Sequence, residues 1–189
     1  MKLLFQILFV IISYQVSAQN TGSSKEHFLN LASYLSNGEG QWMTPNPQYD
    51  SKDSRSSTGF GLWFDFELEE NLLRLTHVVF REDTAHITGE SFWIWHPGER
   101  QIKYYSTNIR GGFTDGETLF TKEDRFVTTE YSYSVGGKIE LSKDDNTIIS
   151  PDEHLTTTSV FKDNSWKITG QYRFRKTKDK EYYKAIKDY

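Results

Sequence analysis

The chain has 189 residues, a formal net charge of −4 and no cysteine. An acidic chain without a long basic run is a poor fit to nucleic acid, and the missing thiols exclude disulfides, thiolate catalysis and cysteine-ligated zinc. Aromatic residues reach 15%, which suits either a sheet core or a pocket that stacks on flat ligands.

Residues 1–18 read as a cleavable signal peptide. Lys2 supplies the positive start, Leu3–Ile12 is apolar apart from Gln6, and Val16-Ser17-Ala18 offers small residues before a cleavage point. That run is too short for a membrane span, and no cysteine follows it to carry a lipid. The expectation is an exported, periplasmic or secreted protein without membrane insertion. Residues 19–176 then form one domain, and 177–189 a charged tail.

The spacing of Phe28, Leu31, Ala32 and Leu35 predicts one amphipathic helix, with Ser23 and Glu26 as its capping box and Gly38 as its stop. Gly40-Gln41-Trp42 opens the first strand. The polar stretch Pro45–Thr58 is expected to be a long loop, placed as a lid over an opening. From Gly59 the period is two, as Phe60, Leu62, Phe64, Phe66 and Leu68 alternate with more polar residues. Further strands are expected at Leu72–Phe80, Ala85–His96, Gln101–Ile109, Gly116–Thr121, Arg125–Val135, Leu155–Lys162 and Trp166–Lys176. In the last, Trp166, Ile168, Tyr172 and Phe174 share one face. Turns are expected at His96-Pro97-Gly98-Glu99 (type II), Gly111-Gly112, Thr114-Asp115-Gly116, Gly136-Gly137, Asp144-Asp145-Asn146 and Asp163-Asn164-Ser165. Short links between successive strands predict an antiparallel meander, and one this long must close into a barrel or fold into two layers.

The helix, the Gly40-Gln41-Trp42 motif, the long loop and the meander together resemble the calycin or lipocalin-like superfamily, nearest to its bacterial families of unknown function. That resemblance implies an all-β barrel with one N-terminal helix, and Trp42 packed at its base against a basic residue of the last strand, Arg173 or Arg175. Thr114-Asp115 loosely matches the second lipocalin signature. Ser165-Trp166-Lys167-Ile168 resembles instead the final strand of the nuclear-transport-factor-like cone, the competing fold.

Registering two hairpins about their turns sets Val79 opposite Ala85, His77 opposite Ile87, Leu75 opposite Gly89, Trp93 opposite Ile102 and Ser91 opposite Tyr104. One face then carries Leu73, Leu75, His77, Val79, Ala85, Ile87, Trp93, Trp95, Ile102 and Tyr104. Such a wall suits a small, partly stacked ligand. Within it His77 would be held neutral by desolvation, able to act as a base or hydrogen-bond a ligand. The opposite face, with Val78, Phe80, Phe92 and Ile94, needs cover from the helix or from a second copy in a homodimer.

Two readings follow. The first is a non-enzymatic binding protein for a sugar or small apolar molecule, with His77, Trp93, Trp95, Tyr104 and Arg110 as ligand contacts. The second is a periplasmic lyase or dehydratase acting on an oligosaccharide. His77 or His96 would be its base, Tyr104 or Glu130 its acid and Arg110 its carboxylate anchor. No cofactor motif is present, and no cofactor or metal is expected. A slipped register joining His77, His86 and Glu90 is the one arrangement with metal-ligand character. His27, on the helix, is expected to face solvent, and His154, at a loop edge, to face solvent within a ligand's reach.

Overall fold

A computed structural model describes residues 23–37, 41–53, 55–81 and 84–177. The expected signal peptide, Gly38, Gly40 and the tail beyond Thr177 lie outside the described residues. One helix, α1 (Lys25–Ser36), precedes ten strands: β1 (Gln41–Pro45), β2 (Gly59–Glu67), β3 (Leu72–Arg81), β4 (Thr84–His96), β5 (Gln101–Asn108), β6 (Phe113–Lys122), β7 (Arg125–Tyr133), β8 (Ile139–Ser150), β9 (Glu153–Lys162) and β10 (Ser165–Lys176). Each strand pairs antiparallel with the next, and β1 closes the ring on β10 through Trp42↔Lys176 and Met43↔Arg175. The result is a lipocalin-like barrel with one N-terminal helix, not a cone-shaped open sheet. Closure removes the free edges that a meander otherwise exposes.

Helix α1 plugs one end of the barrel. Phe28, Leu31, Ala32 and Leu35, the residues on its expected apolar face, are all buried, and a large apolar side chain so placed contributes about 1.5–3 kcal/mol. Phe28 meets Phe66 at 6.0 Å between ring centroids, and Tyr34 Oη donates to the carbonyls of Ser150 and Glu153 at 3.3 and 3.1 Å. The capping box lies one residue later than expected. Ser24 Oγ accepts from His27 N at 3.1 Å and His27 Nδ1 accepts from Ser24 N at 3.2 Å, while Ser23 Oγ donates to the Thr118 carbonyl at 2.8 Å. His27 is not a free surface residue either, since its ring stacks on Phe120 at 4.8 Å.

Trp42 is fully buried at this plugged end, its Nε1 donating to the Leu35 carbonyl at 2.8 Å. The basic residue over it is Lys176, whose Nζ lies 4.7 Å from the indole centroid and donates to the Tyr34 carbonyl at 3.1 Å. Lys176 is Trp42's direct neighbour in register and faces inward. Arg173 and Arg175, of opposite parity, face outward and pair with Glu153.

Two bulges correct the expected faces. In the β3–β4 hairpin the register shifts between His77 and Val78, with Thr88 the extra residue. Phe80 therefore faces Ala85, Val78 faces Ile87, His77 faces Gly89 and Leu75 faces Ser91. In the next hairpin Trp93 faces Tyr104, Trp95 faces Ile102 and Ser91 faces Ser106. These pairings are displaced by two from those expected beyond the bulge, which preserves parity. Leu73, Leu75, His77, Val79, Trp93, Trp95, Ile102 and Tyr104 therefore do share the inner face. Ala85 and Ile87 leave it, and Ile87 stands exposed. A second bulge between Ile168 and Gly170 splits β10: Tyr172 and Phe174 point inward, Trp166 and Ile168 outward. Val78 and Phe80 lie on the outer face with Met43 and Trp63, already buried within the single chain. Phe92 and Ile94, of the same expected face, are half-buried.

β8 was not anticipated. Its Asp144-Asp145-Asn146 segment is mid-strand rather than a turn, and Thr114-Asp115-Gly116 is likewise inside β6. The expected type II turn at Pro97-Gly98 is replaced by one whose left-handed residue is Arg100, with φ +53°. Asp163-Asn164 (φ +52° and +57°) forms the expected tight hairpin turn.

Candidate ligand cavity

Strand alternation sends two unlike rows of side chains into the barrel. From β10 through β1 to β4 the inward residues include Tyr172, Phe174, Phe60, Leu62, Phe64, Leu75 and Trp93. From β5 through β9 they include Tyr104, Thr128, Asp144, Asn146, Thr156 and Thr158. Together with Leu35, His77, Phe126 and His154 these enclose a cavity of about 250 Å³. It is an aromatic and aliphatic wall facing a hydroxyl- and carboxyl-bearing one.

The polar side is internally bonded. His77 Nε2 lies 2.6 Å from Ser91 Oγ, which lies 2.9 Å from Tyr104 Oη. Ser91 is fully buried and does not line the cavity, so it links the two rings without meeting a ligand. Trp93 Nε1 donates to Thr118 Oγ1 at 3.0 Å, and Thr118 shares a 2.8 Å bond with Thr128. Thr156 Oγ1 donates to Asn146 Oδ1 at 2.7 Å, Thr158 Oγ1 to Asp144 Oδ1 at 2.6 Å, and Ser142 Oγ to Glu130 Oε1 at 3.0 Å. Gly116 sits between Tyr104 and Glu130 in register. A Cβ there would come within 2.2 Å of the Thr129 carbonyl oxygen, so only glycine lets β6 and β7 approach this closely.

Burial governs the charges. Desolvation lowers His77 to about 4 and His154, with help from Lys176, to about 3, so both are neutral at pH 7. Desolvation, reinforced by the nearby Asp144, raises Glu130 to about 7. It raises Asp144 as well, against the opposing Thr158 hydrogen bond, and raises the Tyr104 phenol. No Lys or Arg appears among the described residues lining the cavity.

The structure brings together some of the expected site residues. His77, Trp93 and Tyr104 line the cavity. Glu130 points inward one step further along β7. On β7 and β8, Thr128 and Asp144 line the cavity, while Ser132 and Glu140 line a rim cleft of about 230 Å³. Glu130 and its partner Ser142 stand between the two spaces. Arg110 lies in that rim cleft with Lys138 and Tyr133, apart from His77. Trp95 packs into the core without lining the cavity. His96 sits at the β4–β5 turn, its Nδ1 accepting from Glu99 N at 3.1 Å; it is not near His77's cavity. The Pro45–Thr58 loop is pinned at the end of the barrel opposite α1, where Thr58 N donates to the Phe80 carbonyl at 2.8 Å. None of its described residues lines the cavity.

Sequence reasoning missed Asp144, Asn146, Thr156 and Thr158, and it misplaced His154. That histidine is 2% exposed, lies 4.6 Å from the Trp42 ring, and has a buried Nδ1 without a hydrogen-bond partner. The available signal was the period-two series Glu140, Ser142, Asp144, Asn146 answered by His154, Thr156, Thr158. Its inner members are polar, so it carried no hydrophobic alternation. The metal arrangement is not formed: the Thr88 bulge puts His86 opposite Val79 and leaves Glu90 opposite Thr76 on the outer face. Among the described residues no group of three metal-ligand side chains occurs, and no helix is long and apolar enough to cross a membrane.

Fold and cavity define a lipocalin-like antiparallel barrel, plugged at one end by a helix, with a divided interior. Compared with known proteins, the sequence matches no family model and no curated protein.

Proposed function

We propose that the chain is an exported binding protein whose small ligand occupies the barrel interior, its apolar flank on the aromatic wall and its polar groups on the threonine and carboxyl wall. The single observation that carries this is the cavity of about 250 Å³ between those walls. It is slightly smaller than usual drug-sized sites of roughly 300–1,000 Å³, which supports a compact ligand. Hydroxyl donors and acceptors facing aromatic rings suit a sugar-like or a small amphiphilic molecule alike.

The lyase or dehydratase reading has one observation in its favour. Glu130 is held near neutrality close to Tyr104, a useful value for an acid or base. Against it, Arg110 and His96 stand apart from His77, and the carboxyl beside the cavity would repel an acidic sugar. Binding is therefore the better-supported function.

A thermal-shift screen with monosaccharides, small aromatic alcohols and short fatty acids tests the reading. A ligand specific for the native state raises Tm by mass action. Leu62→Trp, which fills the cavity from its apolar wall, should cancel that rise while the far-ultraviolet spectrum stays unchanged. A rise indifferent to Leu62→Trp, or none from any class, would count against the proposal.

A further inference from the structure

The charge balance inside the cavity goes beyond its shape. Asp144 lines it, accepts from Thr158 at 2.6 Å, and pairs with no Lys or Arg among the described residues. Glu130, one step nearer the mouth, adds a second carboxyl in electrostatic contact with it. Withdrawal from water holds both carboxyls above the usual carboxylate range, and no cationic side chain of the lining offsets that cost. Aromatic rings supply the complementary surface. Trp93 and Tyr104 stand 4.8 Å apart between centroids, and Phe60 and Tyr172 5.6 Å; ring faces attract cations most strongly where water is excluded. His154 also lines this cavity, is almost wholly buried, and its Nδ1 has no hydrogen-bond partner.

Resting on the binding reading above, we infer that the cavity selects a small organic cation, a protonated amine on an apolar or aromatic body. The ammonium sits against Asp144, within reach of Glu130's field, and the body lies on the aromatic wall. An anionic ligand of the same shape would meet the Asp144 carboxyl, with Glu130 close behind it, and no cationic side chain of the lining. A neutral ligand would gain the wall contacts but leave the carboxyls unanswered.

Three probes sharing one body separate these cases: 2-phenylethylamine, 2-phenylethanol and phenylacetate, titrated calorimetrically into the full chain. The amine should bind about tenfold or more tightly than the alcohol, as expected for a charge-assisted contact, and phenylacetate should bind most weakly. Asp144→Asn keeps an acceptor for Thr158 and should bring the amine down to the level of the alcohol. Alcohol binding and Tm serve as the internal check that this variant is folded. Equal affinity for amine and alcohol, or an amine preference that survives Asp144→Asn, would overturn the cation assignment while leaving the cavity reading intact. No binding by any probe, with Leu62→Trp indistinguishable from the parent chain, would overturn both.

Discussion

The two walls of the barrel interior are built by the same strand geometry and do opposite things. The wall from β10 through β1 to β4 is aromatic and aliphatic, and it runs continuously into the plug formed by α1, where Ile102, Phe120 and Phe126 of β5–β7 join the same core. The wall from β5 to β9 is lined by threonines, Asn146 and Asp144, with Glu130 one step beyond them, and its desolvated carboxyls oppose folding at neutral pH. One wall supplies stability and the other trades some of it for the ability to recognise polar groups. Stabilising surface and binding surface thus lie side by side across one cavity, and substitutions on them should have opposite signs.

The largest effect is expected on the apolar side. Leu73 is fully buried in the cluster joining barrel to helix, and Leu73→Ala should cost about 2–5 kcal/mol in urea denaturation. A cost below about 1 kcal/mol would mean that this wall is not the core. On the polar side Glu130→Gln should stabilise. Glu130 folds with a pKa of about 7, above its unfolded value, so the native state binds the extra proton. Its contribution is whole below the unfolded value and is lost as pH rises through about 7. The variant should therefore gain on the order of 2–3 kcal/mol near pH 8 and show no gain below about pH 4.5. A gain independent of pH would dissociate it from this carboxyl.

An effect on the acid side concerns the two inward histidines. Their folded values lie below the unfolded one, near 4 for His77 and 3 for His154. The unfolded chain binds their protons first, so stability should decline as pH falls below about 6.5. His154→Gln should flatten that decline, read as Tm against pH; an unchanged slope would place the loss elsewhere. Least of all, Ser24→Ala should cost about 1 kcal/mol by removing the N-cap of α1, whereas Ser23→Ala tests the barrel contact to Thr118 instead.

What the sequence discloses follows the same division. The apolar wall was readable because inward side chains there are Phe, Leu and Trp, and period-two hydrophobicity is the signal a strand normally gives. Helix α1 was readable from Phe28, Leu31, Ala32 and Leu35. The polar wall was not. β8 presents Ser142, Asp144 and Asn146 inward, and a run of Asp and Asn imitates a turn until its partners on β9 are known. The bulges at Thr88 and Thr169 carry no residue signature of their own, so pairings near them were displaced although His77, Trp93 and Tyr104 kept their face. Arg110 stands apart from His77 for a geometric reason: it belongs to a β5–β6 turn at the barrel rim.

The most direct test is the position of a bound probe, read by nuclear Overhauser effects between 2-phenylethylamine and methyl-labelled protein. The account predicts contacts from the ring protons to Leu62 and Leu75 and from the methylene beside the nitrogen to Thr156 and Thr158. Contacts confined to outer-face methyls such as Ile87 and Ile139, with none to the inward leucines, would contradict it.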